Sequence, residues 1–598
     1  MARKPFQGVK RQLLLAFDIG TTFSGVSYSI MDPGDVPEIR TVTRFPEQVQ
    51  SGGDCKIPTV IYYDRDGEVC KIGAEAVAEG IEGIAEDEGW TKAEWFKLHL
   101  RPRGQRSNLF GPSMPPLPPG KTVIQVFADY MRYLFDCTAL YIAETHANGG
   151  LLWNSVKDDI AFVFTHPNGW EGAQQAQMRQ AAVMAGLIPG SDEGHKRIHF
   201  VTEGESSLHY CINNGLSTEA LQEGEGVVIV DAGGGTIDIS AYQGVNETFK
   251  EIAVAQCHFQ GSVFVTARAR QHIQGHLRGS RFEDDVPYIA ERFDKRTKHA
   301  FKSDTDIQFI QFSSIRDTEP DLDIRHGQLK LKGSVVSSFF QPSIQCIIKA
   351  VERQMASSHH PISTVLLVGG FAASDWLYKK VKEALESKNV VVFRPDSHTN
   401  KAVSDGAASF YLDQFVKYRV SKYHYGIEVY TPYAPENPEH YRRRDKVTRH
   451  SVTQTLILDN QFFVLLAKDT QVSEAKEFRS GFSWHFSNPN SLRTFSRTVH
   501  CYRGSLRCPD WTDEDSGSFL VACTVAADIS GVTIAQTFSP VTQQYCQYAQ
   551  FDMILIFGGT ELKAQIAWKV NGVERRSRAR IIYEEVAGMT NALPGAGV

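Results

Sequence analysis

The chain has 598 residues, 42% hydrophobic and 22% charged, with 48 Gly and 25 Pro. Collagen-like, fully disordered and disulfide-scaffold classes are excluded, and the length asks for several hydrophobic cores, three or four units of ordinary size. Its 63 Lys and Arg against 69 Asp and Glu leave a net charge of −6, with one short basic run from Arg442 to Arg444, so a duplex-wide phosphate footprint and a nucleic-acid partner are not expected. The ten cysteines form no C-x-x-C pair and read as reduced thiols of a cytoplasmic or nuclear protein, each a small buried hydrophobe.

Arg3, Lys4, Lys10 and Arg11 precede the apolar run Leu13 to Phe17 in the order of a signal peptide. The run is too short, stops at Asp18 and meets no small-residue cleavage pattern, so it is read as a buried strand that ends at a functional turn. No apolar stretch reaches the roughly 18 residues of a membrane span. Residues 13–30 form a strand, the turn Asp18-Ile19-Gly20-Thr21-Thr22, and a returning strand from Phe23, a hairpin with a polar tip. A strand at Val60 to Tyr63, a proline-rich loop around 102–120, a helix over Thr122 to His146, a strand at Ile160 to Phe164 and a helix over Ala173 to Ala185 follow. Gly120-Lys121-Thr122 ends like a P-loop, but a proline-rich loop stands where that motif needs a strand and an early glycine, so it is discarded.

The pattern then starts again. Gly226 to Asp231 is a second apolar strand, Ala232-Gly233-Gly234-Gly235-Thr236 a second turn, and Ile237-Asp238-Ile239-Ser240 a second return, which points to an internal duplication of one α/β unit. A third glycine turn, Gly369-Gly370, ends the strand Val365 to Val368, and a helix with Leu377, Val381 and Leu385 follows. Beyond residue 417 the composition shifts to short alternating runs, such as Phe519 to Val525 and Leu562 to Trp568, which read as an all-β module. The tail 587–598 reads as disordered.

Glycines at a strand end let backbone N–H groups approach an anion, and threonine hydroxyls add donors without charge. Two such turns facing each other would clamp a polyphosphate. Asp18 and Asp231 would repel phosphate, so their natural partner is a divalent cation held through its waters; the physics points to Mg²⁺ with a nucleotide, against the plain alternative of two tight turns.

Asp18 to Ser24, Asp231 to Asp238 and Val365 to Gly370 resemble, in that order, the first phosphate, second phosphate and adenosine motifs of the actin, hexokinase and heat shock protein 70 ATPase superfamily. The form Asp-x-Gly-Thr-Thr-Phe-Ser is similar to the heat shock protein 70 branch. The resemblance implies a duplicated, actin-like (ribonuclease H-like) two-lobed ATPase fold of class α/β, with lobe I over 11–222, lobe II over 223–417 and a C-terminal β-sandwich-like domain over 421–586. It implies ATP or ADP with Mg²⁺ as ligands. Asp18 and Asp231 would order the waters of Mg²⁺; Gly20, Thr21, Thr22 and Phe23 would face the phosphates; Gly233, Gly234 and Gly235 would donate N–H groups; Thr236 and Asp238 would complete the second loop, Asp238 orienting the attacking water. Glu203 resembles the acidic residue at the lobe crossover, although Gly204 stands where a proline is usual. Lys97 is the counterpart of a catalytic lysine, with Lys92 as the nearby alternative.

The adenosine side departs from the pattern, because Phe371, Ala372 and Ala373 follow Gly369-Gly370 where a small polar residue and a base-stacking Arg are usual. Phe371 is either a stack for adenine or a core aromatic, and Lys298 either a residue over the ribose or part of a solvated helix face. The leucine-rich linker and the helical lid of the chaperones have no counterpart in the sequence. The first functional expectation is an ATP-binding, ATP-hydrolysing cytoplasmic protein with a chaperone-type or protein-interaction role, whose partners are client proteins and an exchange factor or co-chaperone. The alternatives are a nucleotide-binding sensor or scaffold with little turnover and, with low weight, a small-molecule kinase.

Overall fold

The computed structural model describes residues 3–48, 55–102, 114–170, 172–215, 224–246, 248–395, 401–473, 476–558 and 561–581. The expected lobe boundary at 222, most of the proline-rich loop and the tail 587–598 lie outside these residues. The chain divides into two compact units, Met1–Trp170 with Gln177–Lys417, and Glu171–Ala176 with Tyr418–Val598.

In the first unit, strands β1 (Gln12–Ile19) and β2 (Phe23–Met31) form the expected hairpin, with Ile19 opposite Ser24 at its tip. Helix α1 (Val123–Thr145) starts at Thr122, whose side chain and that of Gln125 close a capping box. Thr122 therefore serves as a helix cap and Lys121 pairs with Asp129, so the discarded P-loop-like triplet is a helix start. Strands β3 (Ile160–His166) and β4 (Ile198–Thr202) lie parallel beside β1, and β4 runs directly into helix α2 (Glu203–Asn213), capped by Thr202.

A second sheet repeats this plan. The hairpin β5 (Gly226–Ala232) and β6 (Ile237–Val245) continues antiparallel into β7 (Thr248–His258), which leads to helix α3 (Ser262–Leu277). After helix α4 (Gly333–Ser357), strand β8 (Ile362–Val368) adds parallel to β5, helix α5 (Asp375–Glu386) returns, and β9 (Val391–Phe393) adds parallel to β8. Helix α6 (Ala402–Asp413) closes the unit. The strand order is Arg40–Thr41, β2, β1, β3, β4 in one sheet and β7, β6, β5, β8, β9 in the other, with the same sense at every step. Strands buried on both faces explain the uninterrupted apolar runs of β1 and β5.

The terminal helix of each half packs on the other half's sheet. Leu208, Cys211 and Ile212 of α2 join Val227, Ile229 and Leu366 in one apolar cluster, while Ala407, Ala408 and Phe410 of α6 join Leu14, Ala16 and Val163 in another. Asp405 ties α6 down by accepting hydrogen bonds from Ser27 (2.6 Å) and Thr41 (2.8 Å). This exchange places the start of α2, with Glu203, beside both hairpin tips.

The second unit is built of antiparallel strands: β10 (His424–Pro432), β11 (Leu456–Leu466), β12 (Glu477–Phe486), β13 (Phe495–Tyr502), β14 (Phe519–Ala527), β15 (Ile534–Ser539), β16 (Gln544–Gly558) and β17 (Glu561–Val570). One sheet orders β11, β10, β13, β14 and the other β12, β16, β17, and Ile427, Val499, Val525, Met553 and Ile566 share one core. Among the described residues beyond Lys446, no α-helix occurs. The basic run is no anion patch, because Arg443 is buried against Trp511 at 4.0 Å and donates to Asp513 (2.7 Å) and Glu514 (2.6 Å).

His450 in this unit accepts backbone N–H bonds from Val452 (3.2 Å) and Thr453 (3.1 Å) at Nδ1, which requires the neutral ring. Burial lowers its pKa, and burial and then His450 lower that of His485, whose ring lies 5.4 Å away. A histidine pKa depressed on folding contributes stability that is present above the unfolded value, about 6.5, and lost as pH falls through the folded one. The melting transition of the second unit is expected to move to lower temperature between pH 7.5 and pH 5, and His450→Gln to flatten that dependence in a calorimetric scan; an unchanged slope would remove His450 from the account.

Candidate functional site

The two glycine turns meet over a cavity of about 390 Å³ in the first unit. A methyl group on Gly234 would stand 2.4 Å from Thr22 Oγ1, and one on Gly235 would stand 2.3 Å from Thr21 Oγ1, so only glycine lets the turns approach this closely. The carbonyls of Gly233, Gly234 and Gly235 accept N–H bonds from Ser262, Val263 and Gly261 at the start of α3. Because a trans peptide points its C=O and N–H in opposite directions, the N–H groups of Gly234, Gly235 and Thr236 are left facing away from that helix. Gly369 takes φ +90°, and a methyl group there would lie 2.4 Å from Asp231 Oδ1, so the third glycine turn too is set by backbone geometry at the carboxylate.

Every candidate site residue carried forward from the sequence lines this cavity except Asp238 and the alternative lysine Lys92. Asp18 is buried; Thr165 donates to its Oδ1 at 3.0 Å and Lys56 to its Oδ2 at 2.6 Å. Burial would raise its pKa, but Lys56 and Lys97 outweigh that and hold it below the usual carboxylate range. Asp231 accepts from Ser207 at 2.7 Å, and burial together with Glu203 pushes its pKa up to about 7. Asp238 sits opposite Asp231 in the β5–β6 register and accepts the Asn168 N–H at 2.6 Å. Its Oδ2 is buried without a hydrogen-bond partner, and burial and Glu203 raise its pKa. Asp238 is thus a fully buried residue behind the loop, not part of the cavity wall.

Lys97, on a single 3₁₀ turn (Phe96–Leu100), donates to Glu203 Oε1 at 2.5 Å and lies 5.6 Å from the Trp170 ring centre. Burial would lower its pKa, and Glu203 and Asp18 raise it, so it stays charged. Lys92 instead pairs with Glu94 and Glu82 and lines no part of the cavity. Lys298 is buried, bonded to Asp294 and to Thr266; the solvated-face alternative is excluded because the helix turns this residue inward. Phe371 is buried against Phe340, ring centres 6.1 Å apart, and also lines the cavity, so it is a core aromatic with one edge on the site.

The cluster holds four buried acids, Asp18, Glu203, Asp231 and Asp238, and two lysines, Lys56 and Lys97, that reach them. This excess of buried negative charge, with an orphaned carboxylate oxygen, suits a divalent cation. Among the described residues no three His, Cys, Asp or Glu groups converge as a direct ligand set, so a cation here would keep much of its water shell, as Mg²⁺ does. Lys56, Thr165, Asn168 and Ser207 were not legible as site residues; each belongs to no phosphate motif, and only the packing of strands, a loop and helix α2 brings it here.

Two hairpins whose glycine turns face one another over buried carboxylates and lysines place this cleft in an α/β protein. No family model matches the chain. It is 22% identical over 531 residues to Heat shock 70 kDa protein 12B of Homo sapiens, spanning 71% of this chain and 72% of that protein. It is 24% identical over 525 residues to Heat shock 70 kDa protein 12A of Mus musculus, spanning 70% and 72%, and 24% identical over 522 residues to its Homo sapiens counterpart. The chain is thus similar, over about 70% of its length, to divergent proteins of the heat shock protein 70 family. Among the described residues, no helix is long and apolar enough to cross a membrane.

Proposed function

We infer that the first unit is a duplicated, actin-like two-lobed ATPase fold that binds ATP or ADP with Mg²⁺ and hydrolyses ATP, in a cytoplasmic protein that acts on client or partner proteins. The observation that carries this reading is the convergence of three motifs, each more than a hundred residues from the next, on one cavity. Asp18 and Asp231 hold the waters of Mg²⁺, which supplies charge neutralisation on the phosphates when bound. Thr21, Thr22 and the N–H groups of Gly234, Gly235 and Thr236 take the phosphate oxygens. Lys97, fixed by Glu203, holds positive charge over the reacting end, and Lys298 and Phe371 face the nucleoside. The two β-sheets of the second unit form the C-terminal domain that meets proteins.

A second reading, a nucleotide sensor or scaffold with little turnover, is favoured by Lys56, which already occupies the Asp18 carboxylate. Calorimetric titration with ATP and ADP, run beside single-turnover hydrolysis, separates the readings. Saturable binding with hydrolysis that stops when Mg²⁺ is chelated supports the ATPase; binding without hydrolysis moves the protein to the sensor. Absence of binding in every buffer would mean that the two loops are structural.

A further inference from the structure

The geometry points to Lys56 as a phosphate-binding residue, an internal cation that contacts the anionic end of the nucleotide and keeps it bound when the divalent cation is absent. This rests on the nucleotide reading above.

Lys56 belongs to none of the three motifs. It precedes the short strand Ile57–Pro58, which pairs with the start of β2 so that Ile57 faces Ser24 and Pro58 faces Phe23. Thr59 N–H donates to Thr22 O at 2.9 Å, Gln48 Nε2 donates to Lys56 O at 2.7 Å, and Thr59 and Ser24 hydroxyls bond at 2.7 Å. The backbone that follows Lys56 is therefore anchored to the end of the first phosphate turn, and its own carbonyl is held by Gln48. From there its side chain, 18% exposed, reaches the cavity and meets Asp18 at 2.6 Å.

The three lysines that line the cavity differ in what they have left to offer. Lys97 is bound to Glu203 and lies over Trp170. Lys298 is bound to Asp294 and Thr266. Lys56 donates to Asp18 alone among the described residues, and an ammonium has three N–H donors. Asp18 in turn has both oxygens engaged, one by Thr165 and one by Lys56, so it holds the ammonium in a fixed place beside Thr21 and Thr22. A charged donor lining the cleft, with N–H groups that no described residue takes up, is suited to an oxyanion, and a charge-assisted bond of this kind is stronger than a neutral one.

The test is ATP binding by calorimetry, in Mg²⁺ and in EDTA, on the wild type, Lys56→Gln, Lys56→Arg and the double variant Asp18→Asn with Lys56→Gln. The wild type is expected to lose less than about tenfold in affinity on chelation, and Lys56→Gln to bind about 10–100-fold more weakly than wild type in EDTA. Lys56→Arg is expected to stay near wild type, and the double variant to stay as weak as Lys56→Gln. Equal EDTA affinities for wild type and Lys56→Gln would overturn the proposal. Recovery of wild-type affinity in the double variant would overturn it as well, since Lys56 would then only screen Asp18. Melting curves check the fold, and Lys56→Met, which keeps the apolar stem, replaces Lys56→Gln if that variant fails to fold. A wild type that binds no ATP even in Mg²⁺ would sink the nucleotide reading, a different outcome from either of these.

Discussion

Gly406→Val is expected to destabilise the first unit by about 3 kcal/mol or more, at the upper end of what overpacking costs. A methyl group at Gly406 would lie 1.8 Å from Ser206 O and 2.6 Å from Ser206 C. Those are backbone atoms of α2, so no side chain can turn aside, and α2 and α6 must separate. Neither helix can move cheaply, because α2 is packed in the Val227, Ile229 and Leu366 cluster and α6 in the Leu14, Ala16 and Val163 cluster. One added isopropyl group therefore strains both halves of the unit through a close-packed interior. Urea unfolding of the full chain, followed by circular dichroism, measures this. Gly406→Ala is expected to show the same direction with a smaller shift, and a Gly406→Val midpoint equal to wild type would show that the crossing is looser than its backbone approach indicates.

Asp231→Asn is expected to reduce single-turnover hydrolysis at least about a hundredfold, since phosphoryl transfer depends mostly on positioned charge, while making the ligand-free protein more stable at neutral pH. The carboxylate is buried near Glu203 and its folded pKa is about 7, against about 3.9 for an unperturbed aspartate. The folded state thus binds the proton more tightly than the unfolded state. Stability from this group is fully present below about pH 4, falls as pH rises through about 7, and stays low above that. Removing the charge is worth a few kcal/mol at pH 8 at most. Asparagine keeps an oxygen for the Ser207 hydroxyl, which bonds Asp231 at 2.7 Å, so the site need not collapse. Urea midpoints at pH 5 and pH 8, without nucleotide or divalent cation, are expected to converge in the variant and diverge in wild type. A variant with the wild-type pH slope, or with wild-type hydrolysis, would show that Asp231 is neither the strained acid nor the essential one.

The elements that could be read from sequence are those whose signal is local. The apolar run from Leu13 and the run from Val227 each end at a carboxylate and a glycine turn, and both formed hairpins whose tips stand where expected. Helix α5 follows from Leu377, Val381 and Leu385, which are all buried. Lys97 was preferred over Lys92 by motif, and the structure separates them by partner, since only Lys97 reaches Glu203. Lys298 shows the limit of such reading. Its neighbours Lys295 and Arg296 make the stretch look solvated, yet a π-helical turn (Phe293–Thr297) precedes it and Lys298 is buried on Asp294. A change of helical pitch over one turn rotates the residues beyond it, and no side-chain pattern records that rotation.

By itself the sequence determined the two strand–turn–strand units, the positions where glycine is obligatory, the carboxylates at the strand ends and the shift to short alternating strands beyond residue 417. These follow from burial periodicity and backbone sterics, which act over a few neighbouring residues. Only the tertiary structure decided that α2 and α6 exchange sheets, that Asp238 sits behind the cavity wall, and that Lys56, Thr165 and Ser207 close on the carboxylates. Each of these depends on parallel registers and helix crossings between segments 24 to 200 residues apart, where the apolar pattern is satisfied by many pairings and the choice is made by packing.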